Sequence, residues 1–379
     1  MILRNLSIYG TDSKKTIHIE NGKIRSVADS VIHFPECHDE ALIHFDEAIA
    51  LPGFINSHDH LDFNLFPQLG NGVYKNYRDW GHDIHQHNKD VINQVLKVPE
   101  TLRIRWGLYK NLLNGVTTVV NHGKKIRVPE DLINVLQPAS LHSPAFEKNW
   151  KWKLNNSFFK GPLTMHIGEG TDVAAEKEID EVIQWNVFRK KFVAVHGVGM
   201  NEKQASSFYG LVWCPASNYF LLNKTAEVEK LADKTKIVFG TDSTLTASWN
   251  MWEHFRAAKR SVAVTEDKLI EMLTAKPAQL WGLNDVGKIA DGKNADIVVL
   301  KTTKDFFSLN PEDILLVMIH GRVLLMDEII RKQMRSINEN GFDHIEMNGH
   351  IKFLRGNISE LIQQIGYYYP KAIFPFLTT

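Results

Sequence analysis

The chain has 379 residues, enough for one large domain with an appendage or for two ordinary domains, and its 44 Lys plus Arg cancel its 44 Asp plus Glu. A formal net charge of zero leaves no field to gather nucleic acid or an anionic membrane surface, so charge favours a small partner of neutral or mixed charge. Cys37 and Cys214 are too few for a disulfide framework, and no apolar run reaches the roughly 18 residues of a membrane span, so a cytoplasmic setting is expected.

From Ile2 to about Ala50 apolar residues recur with period two, and Ile17, Ile19, Ile24 and Val27 flank Asn21-Gly22, a strong hairpin signal. So small an antiparallel sheet is marginal alone and needs strands from elsewhere. Candidates follow Gly287, where Lys288 to Lys293 turns into Ala295 to Leu300, and Ile314 to Met326 holds a second hairpin about His320-Gly321. Residues 1–50 and 284–335 are therefore expected to build one sheet domain around a central segment, 51–283.

That segment alternates short apolar strands with amphipathic helices, as parallel βα units do. Gly53 to Asn56, Val116 to Asn121, Leu163 to Ile167, Phe192 to Val195, Leu211 to Cys214 and Ile237 to Gly240 read as strands. Ile179, Val182, Ile183 and Val187 make one helical stripe, and Leu269, Met272 and Leu273 another. Repeated units at this length predict a TIM-like (β/α)8 barrel, with its chemistry at the C-terminal ends of the strands. Between His122 and Leu163 only Ile133 to Leu136 and Ala139 to His142 can be strands, so one unit there is expected to be truncated. Residues 336–379, with a helix through Leu361, Ile362 and Ile365, are expected to pack on the barrel or on a partner subunit, as in a homodimer.

Leu51 to His60 places two imidazoles at alternate positions after an apolar run, so His58 and His60 share one strand face. Three further clusters follow strands: His166 with Glu169, His196, and Asp242. His58, His60, His166 and Asp242 form a three-His, one-carboxylate set suited to one Zn²⁺ or Fe²⁺ with a place left for water. Such a metal lowers the pKa of its water from 15.7 towards about 7 and supplies hydroxide at neutral pH.

Pro-Gly-Phe-Ile-Asn-Ser-His-Asp-His, His-Ile-Gly-Glu, His196-Gly197, Cys214-Pro-Ala-Ser-Asn218 and Gly240-Thr-Asp-Ser243 occur in the order seen in the amidohydrolase superfamily. More narrowly the chain resembles the branch of cytosine deaminase, guanine deaminase and the chlorohydrolases, over roughly residues 1–330 with a gap at 124–161. The resemblance implies a barrel with a flanking β-sandwich, one divalent metal, and hydrolytic release of ammonia from an amidine-like heterocyclic carbon. It makes His58, His60, His166 and Asp242 the ligands and Glu169 the proton shuttle. His196 would orient the attacking water or polarise the tetrahedral centre, and Asp242 would double as the base.

His122, His196 and Asn218 are then expected at the substrate, with Ser217 shaping the loop over it. Asp59 departs from the small or neutral residue of the family and is expected to face away and orient a neighbour. A bridging carbamylated lysine for a second metal would come from Lys148, Lys151, Lys153 or Lys160, but Glu169 after His166 favours one metal. His82, His85 and His87 form a solvated face or reach the substrate. Deamination of a purine-, pyrimidine- or triazine-like compound is the expected reaction. Ring opening of a cyclic amide, as by imidazolonepropionase, and metal binding without turnover are the alternatives.

Overall fold

A computed structural model describes residues 1–30, 41–128, 132–156, 161–261, 264–334 and 341–378, without the side chain of residue 261. Cys37 and Lys160 lie outside them. Eight parallel strands surround the centre: β1 (Phe54–Asp59), β2 (Val116–Asn121), β3 (Asn134–Leu136), β4 (Ala139–Leu141), β5 (Leu163–Ile167), β6 (Phe192–His196), β7 (Gly210–Trp213) and β8 (Lys236–Phe239). β1 to β3 and β4 to β8 form two hydrogen-bonded arcs. The seam between β8 and β1 is bridged just beyond the strands, where the N–H groups of Thr241 and Asp242 donate to His58 O at 3.1 and 3.0 Å. Continuous apolar runs become strands here because both faces are covered: every residue of β2, β5 and β6 is buried.

Local chemistry sets the helix ends. Asp172 accepts the Ala175 N–H and opens the helix Val173–Trp185, which buries Ile179 and Val182 against the barrel. Val187 does not continue that stripe; it lies beyond the helix end and is 62% exposed. Likewise Cys214 does not end β7 but precedes the first turn of the helix Pro215–Leu222, where proline needs no N–H partner. Between β3 and β4 there are only Gln137 and Pro138, and the connection from β4 to β5 carries one short helix, Trp150–Asn156. The unit at β3 has no helix of its own.

Beside the barrel runs an 11-stranded sheet drawn from both ends of the chain. Ile2–Ile8, Lys14–Glu20 and Lys23–Asp29 form its N-terminal part, and Ala48–Pro52 pairs antiparallel with Ile297–Lys301. Ala48–Pro52 leads directly into β1 through Gly53, whose N–H donates to Asp296 O at 2.8 Å. The sheet thereby anchors the strand that carries His58. Ile314–Ile319 and Arg322–Asp327 continue it, followed by a hairpin absent from the sequence reading, Phe342–Met347 with His350–Arg355. Its turn is Asn348-Gly349, both with positive φ (48° and 81°), the two-residue signal that places a right-twisting hairpin. After it the helix Ile358–Tyr368 packs on the barrel helix Glu100–Leu112, and Phe374 meets the Trp106 ring at 4.9 Å. No described helix is long and apolar enough to cross a membrane.

Candidate active site

His58 lies in β1, His60 just after it, and His166 in β5, while Asp242 lies in the loop after β8. The strand pleat turns His58 and His60 to one side, with ring centroids 5.0 Å apart. His166 Nε2 lies 3.2 Å from His58 Nε2 and 3.4 Å from His60 Nε2. Asp242 Oδ1 stands 3.7 and 3.8 Å from the same two nitrogens of His58 and His60. Ligand bonds of about 2.0–2.1 Å in a tetrahedron imply nitrogen separations of about 3.3–3.4 Å, which the His166 contacts match, and two overlapping groups are compact enough to hold an ion: His58 with His60 and Asp242, and His58 with His166 and His196.

Asp242 is held firmly in place. Its backbone is left-handed (φ 61°), a conformation Asp tolerates better than most residues. Ser217 and Thr246 hydroxyls donate to Oδ2 at 2.9 and 3.0 Å, and the Ser243 N–H donates to Oδ1 at 2.7 Å. Oδ2 is thus engaged by the protein, while Oδ1 faces the imidazoles. Burial works to raise the carboxyl's pKa, but His60, His196, Ser243 and Ser217 outweigh it and hold the group below its ordinary range. Burial, followed by neighbouring imidazoles, pushes His58 and His166 well below the usual histidine value and keeps them neutral, as ligands must be.

Behind β1, Asp59 points away from the histidines into a second network. Its carboxylate accepts from Lys110 Nζ at 3.1 Å, Asn111 Nδ2 at 2.7 Å and Asn64 Nδ2 at 2.9 Å. Lys110 also donates to Thr241 Oγ1 at 3.2 Å and Asp242 O at 3.3 Å. The fully buried Asp59 and its lysine therefore tie β1 to the loop of Asp242. Nothing in the periodicity of the helix Glu100–Leu112 marks Lys110, except that a lysine interrupts an otherwise apolar stretch.

Opposite the nitrogens lies Glu169, following Gly168, where φ is 62° and a Cβ would strike Ile179 at 2.6 Å. The Gly168 N–H donates to Glu178 Oε1 at 3.2 Å, Tyr77 OH donates to Glu178 Oε2 at 2.9 Å, and Tyr77 N–H donates to Glu169 O at 3.0 Å. Burial, then Asp242 and Glu178, raises the Glu169 carboxyl well above the usual glutamate value. It is thereby kept ready to carry a proton.

His196 ends β6 at φ 73° and sits 3.6 Å, Nε2 to Oε2, from Glu169. Trp213 Nε1 donates to Thr225 Oγ1 at 2.7 Å, Thr225 donates to Asn218 Oδ1 at 3.3 Å, and Asn218 Nδ2 lies 2.9 Å from His196 Nδ1. Because the indole can only donate, this chain assigns Asn218 as donor and Nδ1 of His196 as acceptor, leaving a proton on Nε2. Burial pushes His196 down to about 4, so it stays neutral with that N–H aimed into the site.

Two residues expected at the substrate have polar groups already engaged within the protein. His122 has both ring nitrogens engaged, Nε2 with Leu141 O at 3.1 Å and Nδ1 with Thr164 Oγ1 at 3.2 Å, and its ring stacks on His166 at 4.3 Å. Asn218 is wholly buried and holds His196. His142 and Phe63 have the opposite history: neither was singled out, yet their rings lie against His166 and His60 at 5.4 and 5.6 Å. A histidine just past a short apolar strand was the available signal for His142. Lys151 and Lys153 pair with Glu181 and Glu147, and Lys148 is exposed, so these three are occupied or turned outward. His87 pairs with Asp83 at 2.7 Å on an exposed face.

Residues 160–324, which carry His166, Glu169, His196 and Asp242, match the model of the amidohydrolase family. That match covers less than half of the chain. The chain is 20% identical to a 5-methylthioadenosine/S-adenosylhomocysteine deaminase of Caldanaerobacter subterraneus, across 95% of its own length and 100% of that protein. Its fold is similar to that of an adenosine deaminase from Xanthomonas campestris with bound zinc, at TM-score 0.71, 14% identity and 98% of each chain. A guanine deaminase from C. acetobutylicum, with guanine in its active site, gives 0.62 and 15% over 85% of this chain and 99% of that chain. The eight strands and flanking sheet are thus the barrel-plus-sandwich fold that these structures share.

Proposed function

We propose that the chain is an amidohydrolase that hydrolytically deaminates a small amino-substituted heterocycle, with one zinc ion held by His58, His60, His166 and Asp242. The observation that carries the proposal is the convergence of three imidazole nitrogens and Asp242 Oδ1 beside a buried Glu169 whose pKa is raised. The deaminase names of the relatives and the zinc bound in the Xanthomonas structure support the same reading. When bound, the ion would supply a water made acidic enough to ionise near neutral pH.

The chain's own residues divide the remaining work. Asp242, kept ionised, takes the water proton on its carboxylate. Glu169, kept protonated, delivers its proton to the ring nitrogen next to the attacked carbon. The emptied carboxylate then takes the proton still on the attacking oxygen and carries it to the departing amine, so that the C–N bond breaks as the C=O bond forms and ammonia leaves; the proton held by Asp242 restores Glu169. His196 offers its Nε2–H to the oxygen gaining charge at that carbon, and Asn218 keeps the tautomer that permits it. His122 orients His166 from behind. A cytoplasmic setting belongs to the same reading and suits the buried free thiol of Cys214.

Ammonia release from a panel of amino-purines, -pyrimidines and -triazines, run against ring opening of imidazolones and hydantoins, tests the proposal. Turnover confined to the second group would replace deamination by cyclic-amide hydrolysis. Metal-loaded protein inert to both groups would end the proposal.

A further inference from the structure

A cavity of about 470 Å³ opens beside the ligand cluster. Its inner wall is Phe63, stacked on the His60 ring at 5.6 Å and 22°, together with His142, whose ring meets that of His166 at 5.4 Å. Outward it continues over Trp80, Ile84, Ile92 and Leu96, faced by Phe146 and Leu245. A substituent on a ring held at the cluster would therefore enter a hydrocarbon hollow of ligand size.

The hollow is built before any ligand arrives. The Thr244 hydroxyl donates to Phe63 O and Phe66 O at 3.3 and 2.7 Å, pinning that wall to the loop of Asp242. Leu69 N–H donates to Leu245 O at 3.0 Å, and Trp80 Nε1 donates to Leu69 O at 2.7 Å, which consumes the indole donor. Among the described residues no carboxylate, ammonium or guanidinium lines the cavity; its ionisable groups are the imidazoles of His82, His85 and His142. Leu96 and Phe146 remain 49% and 44% exposed.

We propose that the substrate is an amino-heterocycle bearing an uncharged apolar arm, such as an alkyl, thioether or aryl group, that occupies this cavity; the assignment rests on the deaminase reading above. A phosphate or amino-acid arm would surrender its hydration here with no ammonium, guanidinium or carboxylate in the lining to replace it. Each methylene of an apolar arm that enters is worth about fourfold in kcat/KM.

The test uses the metal-loaded full chain and one amino-heterocycle that turns over, carrying methyl, butyl, benzyl, carboxymethyl or phosphonomethyl arms. Butyl and benzyl are expected to exceed methyl at least tenfold in kcat/KM, and the charged arms to fall below it. Gly81 lines the cavity and its Cβ would meet the Phe146 ring at 3.3 Å, so Gly81→Leu should fill the hollow and cut the benzyl-to-methyl ratio at least tenfold. Leu96→Glu, at a half-exposed position, should also lower that ratio. Equal rates for apolar and charged arms, or ratios unmoved in both variants, overturn the proposal and leave deamination standing. Saturation-transfer NMR with methyl phenyl sulfide supplies a readout without turnover. If no heterocycle is deaminated but the sulfide binds wild type and not Gly81→Leu, the deaminase reading falls and the apolar cavity stands. Absence of sulfide binding to wild type overturns the cavity assignment.

Discussion

Replacing Lys110 by Met tests the architecture behind the metal ligands. Lys110 and Asp59 are 2% and 0% exposed at the side chain and 3.1 Å apart, so neither is solvated by bulk water. Methionine keeps most of the lysine stem and its packing, which removes the ammonium while leaving little cavity. Asp59 would then be a buried anion with only the Asn111 and Asn64 amides as donors. Removing one partner of such a pair costs about 3–5 kcal/mol, far above the few tenths expected of an exposed pair. Urea unfolding of the metal-free protein should register that loss as a lower midpoint at unchanged slope. The double variant Asp59→Asn/Lys110→Met removes both charges, and it should recover most of the loss. A Lys110→Met protein within about 1 kcal/mol of wild type, or a double variant no better than the single, would refute the claim that the charges themselves lock β1 to the Asp242 loop.

Glu169→Gln should lower kcat by about 10²–10⁴-fold while retaining bound metal by elemental analysis; a loss under tenfold would remove Glu169 from proton transfer. Ser217→Ala should weaken metal binding by about 10–100-fold in chelator competition, because one hydroxyl that holds Asp242 Oδ2 is lost; unchanged affinity would make that contact incidental. The metal-free protein should lose stability as pH falls from 6.5 to 5. Burial depresses His58, His122, His142, His166, His196 and His254, so in that window the unfolded chain takes up protons the native state refuses. Glu169, Glu178, Glu266 and Asp296 act oppositely, because their raised values let the native state hold protons that the unfolded chain releases. The imidazoles outnumber the carboxyls, giving a net slope on the order of 1 kcal/mol per pH unit, and a flat unfolding midpoint across that range would contradict it.

The sequence by itself determined the kinds of chemistry available and most of the framework that displays them. Period-two alternation exposes His58 and His60 as one face, apolar runs mark the strands, and His166, Glu169, His196 and Asp242 each follow such a run, because a parallel strand writes its burial directly into consecutive residues. Short-range signals also sufficed for the Asn21-Gly22 hairpin. The same signal at Asn348-Gly349 stands out less because its strands carry His344, Glu346, His350 and Lys352, residues whose burial depends on which neighbour they meet. Only the tertiary structure decided which polar atoms are already spent. His122 and Asn218 look like substrate contacts in one dimension, but Leu141, Thr164 and His196 consume their donors and acceptors. Lys110 looks like a surface charge on a helix until Asp59 is found 3.1 Å away. Hydrogen-bond capacity is finite and is allotted among groups distant along the chain, so the division between atoms that build the site and atoms left to face a ligand is a property of the folded arrangement.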